Sequence, residues 1–262
     1  MGKNRIDRAF QAVLDRDEKA FVPYIMAGDG GLEILGERLT FLEESGATVV
    51  EVGVPFSDPV ADGPTIQAAG IRALEAGTTL KGILAELTAS KSTRSIPIVM
   101  MSYFNPIYVY GAEIFAQECV EAGVDGLIIP DLPYEEEEII ADELDKYGIS
   151  LIRLAAITSP DERLEKLAKQ TEGFLYAVTV TGITGARTSI REGIALYLKK
   201  LKQYSKVPVL AGFGVSTPEQ VRELGDASDG VVVGSRIIEL FQKNDLEAIQ
   251  ALIQASKGLE VK

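Results

Sequence analysis

Glu51 and Asp62 are the residues whose type and placement most invite chemistry, standing eleven positions apart in "EVGVPFSDPVADGP", residues 51–64. Glu51 interrupts "TVVEVGV", an apolar run rich in β-branched residues that reads as a buried strand. A carboxylate in such a strand is costly unless it is paired, protonated or useful. Either an unseen Lys or Arg pairs with it, or it works as an acid and base. Asp62, just ahead of Pro64, reads either as a helix N-cap or as the second half of a two-carboxylate pair. The chain has 262 residues and no histidine, so any proton transfer falls to Asp, Glu, Lys or Tyr.

A second signal lies near the C-terminus. "AGFGVSTPEQ" places Gly212 and Gly214 after one apolar strand, and "VVVGSR" places Gly234 and Ser235 after the next, at the start of a helix. Glycine turns and a helix N-terminus hold a phosphate through backbone N–H groups without a basic patch. That suits a chain of net charge −13 and pI near 4.6, which disfavours nucleic acid and anionic membranes as partners. Between these regions, "TVTGITGARTSIREG" reads as a mobile lid, with residues 182–193 as its loop, or as a plain surface loop.

These groups need a scaffold. Eight strand-like runs recur: "AFVPYIMAG", "TVVEVGV", "IPIVMMSYF", "GLIIPDL", "ISLIRLAA", "GFLYAVTV", "VPVLAGF" and "DGVVVGS". Segments of helical periodicity alternate with them, several ending at a glycine. This predicts an α/β fold, a (β/α)8 TIM barrel in a single domain over 1–262, with a doubly wound open sheet as the alternative. Ile6, Phe10, Val13 and Leu14 predict an extra N-terminal helix closing the barrel bottom. The strand period of two turns Val49, Glu51 and Gly53 inward and Val50, Val52 and Val54 toward the helices. Active sites of such barrels lie at the C-terminal strand ends, with phosphate after strands seven and eight. Cleavage or isomerisation of a phosphorylated metabolite is therefore implied.

Other features read plainly. Cys119, the only cysteine, falls on an apolar helical face and reads as core. The absence of a signal-like start, of a membrane-length apolar run and of a cysteine pair fits a cytoplasmic protein. "EEEE" at 135–138 reads as a helix opening and not as a metal site.

"FVPYIMAGD", "EVGVPFSDPVADGPTIQ", "YFNPIYVYG", "PDLPYEE", "TGITG", "GFGVSTPEQV" and "SDGVVVGS", in that order along nearly the whole chain, resemble the tryptophan synthase alpha chain family. The resemblance implies retro-aldol cleavage of indole-3-glycerol phosphate to indole and glyceraldehyde 3-phosphate, in tryptophan biosynthesis. It implies Glu51 as the proton shuttle and Asp62 as the partner of the indole N–H. It places phosphate on Gly185, Gly212, Gly214, Gly234 and Ser235. It places the indole pocket on Phe21, Met101, Tyr103, Leu127 and Tyr176, and a lid contact to Asp62 on Thr184. It implies an alpha2beta2 heterotetramer with allosteric coupling. Pro55 and Asp58 then face the beta chain from one loop, and Asn105 and Pro106 from another. Pyridoxal phosphate belongs to that beta chain, and no cofactor or metal is implied here. "AGDGG" departs from the family, where a proline commonly follows the Asp, and Met101 replaces a commoner leucine. A stand-alone lyase, another phosphate-binding barrel isomerase and a non-catalytic regulatory subunit remain as alternatives.

Overall fold

The computed structural model describes residues 2–179, 187–212 and 214–258, with backbone alone at 187–191. Thr184 and Gly185 lie outside the described residues. The strands are β1 (Ala20–Met26), β2 (Val50–Gly53), β3 (Ile98–Met101), β4 (Val124–Ile128), β5 (Ser150–Leu151), β6 (Arg153–Ala156), β7 (Leu175–Val178), β8 (Val209–Gly212) and β9 (Gly230–Val233). They form one sheet in the order β5-β4-β3-β2-β1-β9-β8-β7-β6, every pairing parallel. Only Ile152 separates β5 from β6, and its N–H donates to the Leu127 carbonyl at 2.9 Å. The two are one stave with a local break, so the sheet closes into an eight-stave barrel. Closure rules out the open doubly wound alternative.

The described helices are α1 (Gly2–Leu14), α2 (Leu35–Ser45), α3 (Pro64–Glu75), α4 (Leu80–Ala89), α5 (Phe104–Tyr110), α6 (Ala112–Ala122), α7 (Glu138–Tyr147), α8 (Asp161–Gln170), α9 (Arg187–Tyr204), α10 (Pro218–Ala227), α11 (Ser235–Gln242) and α12 (Leu246–Ala255). Gly46, Gly123 and Gly148 end α2, α6 and α7 in the left-handed conformation, as the glycine punctuation predicts. Three expectations need correction. Two helices, α3 and α4, follow β2 where the pattern suggested one. Residues 235–256, after the last strand-like run, form α11 and α12 where the strand–helix alternation suggested one helix. The expected loop over 182–193 is helical from Arg187 onward.

Strand parity sorts the core into two shells. Val22, Val49, Val99, Ile128, Leu210 and Val232 pack inside the barrel. Phe21, Val50, Val52, Val54 and Leu127 pack outward with the helices. α1 plugs the bottom: Ile6, Phe10 and Val13 join the inner cluster, while Leu14 is only half-buried. The Phe10 ring lies 5.5 Å from Phe174, which lies 6.3 Å from Tyr176, so aromatic packing runs from the plug toward the opposite mouth. Arg5 anchors the plug, donating from Nη1 to both oxygens of buried Asp125 at 3.1 and 3.0 Å.

Cys119 is buried and its thiol is pushed up by desolvation, as suits a packing residue. Of the glutamates at 135–138, Glu137 takes the N-cap position of α7 and accepts from Arg153 Nη2 at 2.6 Å. The run therefore opens a helix and also holds a mostly buried ion pair. No described helix is long and apolar enough to cross a membrane.

Candidate active site

β2 carries Glu51 into the barrel. Its register places Glu51 between Tyr24 of β1 and Val99 of β3, one step from the C-terminal mouth. Glu51 is 1% exposed, and among the described residues its Oε2 has no hydrogen-bond partner. The pairing with a basic residue is thereby excluded among the described residues. Burial, and then the charge of Asp62, push its carboxyl up to about 8. At neutral pH Glu51 holds a proton it can give away.

Asp62 arrives from the loop after β2. It does not cap α3, because Gly63 occupies the N-cap position with no side-chain capping bond and Pro64 follows at the first turn. Its carboxylate instead lies close to the Tyr103 hydroxyl. Burial raises Asp62 to about 6, against the opposing pull of that hydroxyl. The Tyr103 oxygen in turn accepts from the Ala61 N–H at 2.9 Å, and its ring stacks on Phe56 at 5.1 Å. Tyr103 thus holds the Asp62 loop from behind. Two carboxyls with separated affinities, one protonated and one ionised near neutrality, can divide acid–base work.

Two adjoining cavities of about 250 and 530 Å³ both reach Glu51, Asp62, Ile66, Met101, Tyr176, Gly214 and Ser235. The apolar wall is Ile66, Met101, Ile128, Leu154, Tyr176 and Val178. At the far end Gly234 caps α11, so that helix's free N–H groups face the cavity beside Ser235. Gly214 adopts φ +79°, a conformation costly to other residues, in the adjacent turn. Gly212 acts differently: a Cβ there would lie 2.2 Å from the Tyr176 ring, and its carbonyl accepts from Thr179 N–H at 3.2 Å. Its smallness seats Tyr176.

The sequence-derived site residues therefore separate. Glu51, Asp62, Met101, Tyr176, Gly214, Gly234 and Ser235 converge on the cleft. Tyr103 and Gly212 stand behind it. Phe21 and Leu127 do not reach it, because both point outward into the helix layer. Their inward neighbours Tyr24 and Ile128 line it instead. Period-two parity from Val22 and from Gly126 would have found both. Pro55 is buried and Asp58 exposed on the β2–α3 loop. Asn105 and Pro106 lie in the first turn of α5 and not on a loop. Asp131, from "PDLP", accepts from the Phe104 N–H there at 2.9 Å.

Another cavity, about 460 Å³, opens beside the β4–α7 connection and α8, but its Arg153 and Glu137 already satisfy each other. No group of three or more His, Cys, Asp or Glu among the described residues could hold a metal ion.

An eight-stave barrel with a protonated carboxyl, an ionised carboxyl, an apolar slot and a helix N-terminus defines an acid–base enzyme for an apolar substrate with an anionic tail. Over residues 10–261 the chain matches the tryptophan synthase alpha chain family. It is 54% identical over 261 residues to the tryptophan synthase alpha chain of Oceanobacillus iheyensis, covering 100% of both. Among solved structures, tryptophan synthase subunit alpha of Legionella pneumophila superposes with a TM-score of 0.87 at 33% identity, covering 97% of this chain and 99% of that one. A tryptophan synthase structure from Mycobacterium tuberculosis gives 0.88 at 30% identity, covering 98% and 99%. The chain belongs to the tryptophan synthase alpha chain family, lyases that cleave indole-3-glycerol phosphate in tryptophan synthesis.

Proposed function

We propose that Glu51 and Asp62 carry out the retro-aldol cleavage in this chain, as one cytoplasmic domain. The observation that carries the assignment is the buried Glu51 carboxyl, unpartnered at Oε2 and facing the same cleft as Asp62. Indole fits the slot between Met101, Ile128 and Tyr176, and the phosphate meets the α11 N-terminus. Protonated Glu51 delivers its proton to indole C3. Asp62 accepts from the ring N–H and stabilises the cation. Glu51, now ionised, takes the proton of the glycerol hydroxyl. The C–C bond breaks, its electron pair returns to the ring, and indole and an aldehyde result. One proton enters and one leaves, so no cofactor is needed for this step. Pyridoxal phosphate is assigned to the beta chain.

The beta chain docks on the loop carrying Pro55 and Asp58 and on α5 with Asn105 and Pro106. Val60, Tyr108 and Val109 are 84%, 69% and 77% exposed on these two segments, an apolar surface that suits a partner. The Tyr103–Ala61 hydrogen bond ties the segments together and to Asp62, so docking there moves a catalytic loop. Allosteric couplings of about 1–3 kcal/mol are usual. The test is indole and glyceraldehyde 3-phosphate release from indole-3-glycerol phosphate, by the chain alone and with a beta chain. Equimolar products and a faster rate in the complex are expected. No indole under either condition overturns the reading.

The phosphate assignment is checked separately. Gly234→Asp puts a negative charge at the helix N-terminus, so binding of glycerol 3-phosphate should weaken at least tenfold by calorimetry. Binding of indole, which lacks a phosphate, should change little. Equal losses for both ligands would show a general distortion of the cleft.

A further inference from the structure

A third cavity lies on the outer side of the barrel mouth and shares no lining residue with the catalytic cleft. It measures about 560 Å³ and is walled by the β1–α2 connection, α2, and the ends of α3 and α11. Arg38 and Arg72 both line it, with Phe41, Phe241, Ile34 and Leu246.

The two arginines differ. Arg72 is consumed: it donates from Nε and Nη2 to the Asp29 carboxylate at 2.7 and 2.8 Å. The Gln242 amide, turned with its oxygen toward Arg72, accepts from it too. Arg38 is not consumed. Its Nη1 donates to the Asp29 backbone carbonyl at 2.6 Å, and among the described residues it forms no other hydrogen bond and no ion pair. Glu37 also lines the cavity, beyond ion-pair reach. The Arg38 guanidinium stacks with its Cζ 4.8 Å from the Phe241 ring centre. Stacking occupies the face of the guanidinium and leaves its edge donors to take an acceptor. Burial lowers the Arg38 pKa, so the site bears a charge that an anion would relieve.

The glycines of "AGDGG" shape this place. Gly30 adopts φ +92°, and a Cβ there would come 3.0 Å from Arg38 Nη2 and 3.1 Å from Ile34 Cδ1. The absence of a side chain at Gly30 makes room for the guanidinium edge.

We infer that this cavity binds a small carboxylate with an aromatic or branched apolar body. The carboxylate sits on the free edge of Arg38, and the body lies against Phe41, Phe241 and Leu246. The rings meet edge to face with centroids 6.0 Å apart, so they form one continuous apolar wall of the cavity.

The probe is 4-fluorobenzoate, followed by ¹⁹F NMR titration of the whole chain, with neutral 4-fluorobenzamide as its isostere. Millimolar binding of the acid is expected, at least tenfold tighter than the amide. Arg38→Met keeps the stem and should weaken the acid at least tenfold while leaving the amide unchanged. Leu246→Glu, at the partly exposed start of α12, removes an apolar contact shared by both ligands and adds repulsion for the acid alone, so it should weaken the acid several-fold more than the amide, and it is a safer fold. Binding should survive Gly234→Asp, which blocks the catalytic phosphate end. No binding of the acid overturns the inference, as does equal binding of acid and amide. So does unchanged affinity in both the Arg38 and Leu246 variants, or loss of binding in Gly234→Asp.

Discussion

Glu51→Gln is expected to lower indole-forming turnover by about 10²–10⁴-fold or more, the usual contribution of a general acid–base group. The amide keeps the shape of the side chain, so calorimetric binding of glycerol 3-phosphate should stay within a few-fold of wild type. The same substitution should raise thermal stability at alkaline pH. The folded chain holds Glu51 at about 8 against an ordinary 4.5. Across that window the folded form keeps a proton that the unfolded chain has released, so stability falls as pH rises. Glutamine carries no such penalty. The variant should therefore melt higher than wild type at about pH 9, and the gap should close toward about pH 4. Loss of activity with a melting difference independent of pH would place the damage in packing and remove Glu51 from the chemistry.

Alternation along the strands was legible because neighbouring side chains must face opposite sides of the barrel wall. It placed Val49, Glu51 and Gly53 correctly and separated them from Val50, Val52 and Val54. Where residues were taken from resemblance against that alternation, they landed wrong: Phe21 and Leu127 face the helices, and Tyr24 and Ile128 face the cleft. Helical periodicity shows that a segment is helical but not which helix covers the sheet. The pattern therefore marked α3 and missed α4 behind it, and took α11 and α12 as one segment. Both α3 and α11 begin at the site, one after Asp62 and Gly63, the other at Gly234 and Ser235. The role of Tyr103 was hidden for another reason. It acts from the end of β3 on the Ala61 N–H of the neighbouring β2–α3 loop, forty-two residues away in sequence, and no local pattern encodes that contact.

Asp62→Asn should cost about 10²–10³-fold in turnover, the range for loss of one preorganised electrostatic group. The Ala61 N–H still donates to Tyr103, so the loop stays in place. What it lacks is the negative charge that meets the indole cation after C3 is protonated. The substitution should leave its mark on pH dependence as well. In wild type, kcat/KM should rise as Asp62 ionises through about 6 and fall as Glu51 ionises through about 8. The substrate phosphate also loses its second proton near pH ~6, so the acid limb is shared and the alkaline limb is the diagnostic one. Part of the upward displacement of Glu51 comes from the charge of Asp62. Removing that charge should move the alkaline limb to lower pH, because Glu51 ionises more easily without a negative neighbour. A kcat/KM profile of the variant measures this shift directly. A large activity loss with the alkaline limb unmoved would mean that Glu51 and Asp62 do not sense each other. Asp62 would then be holding substrate, and not tuning the acid that cleaves it.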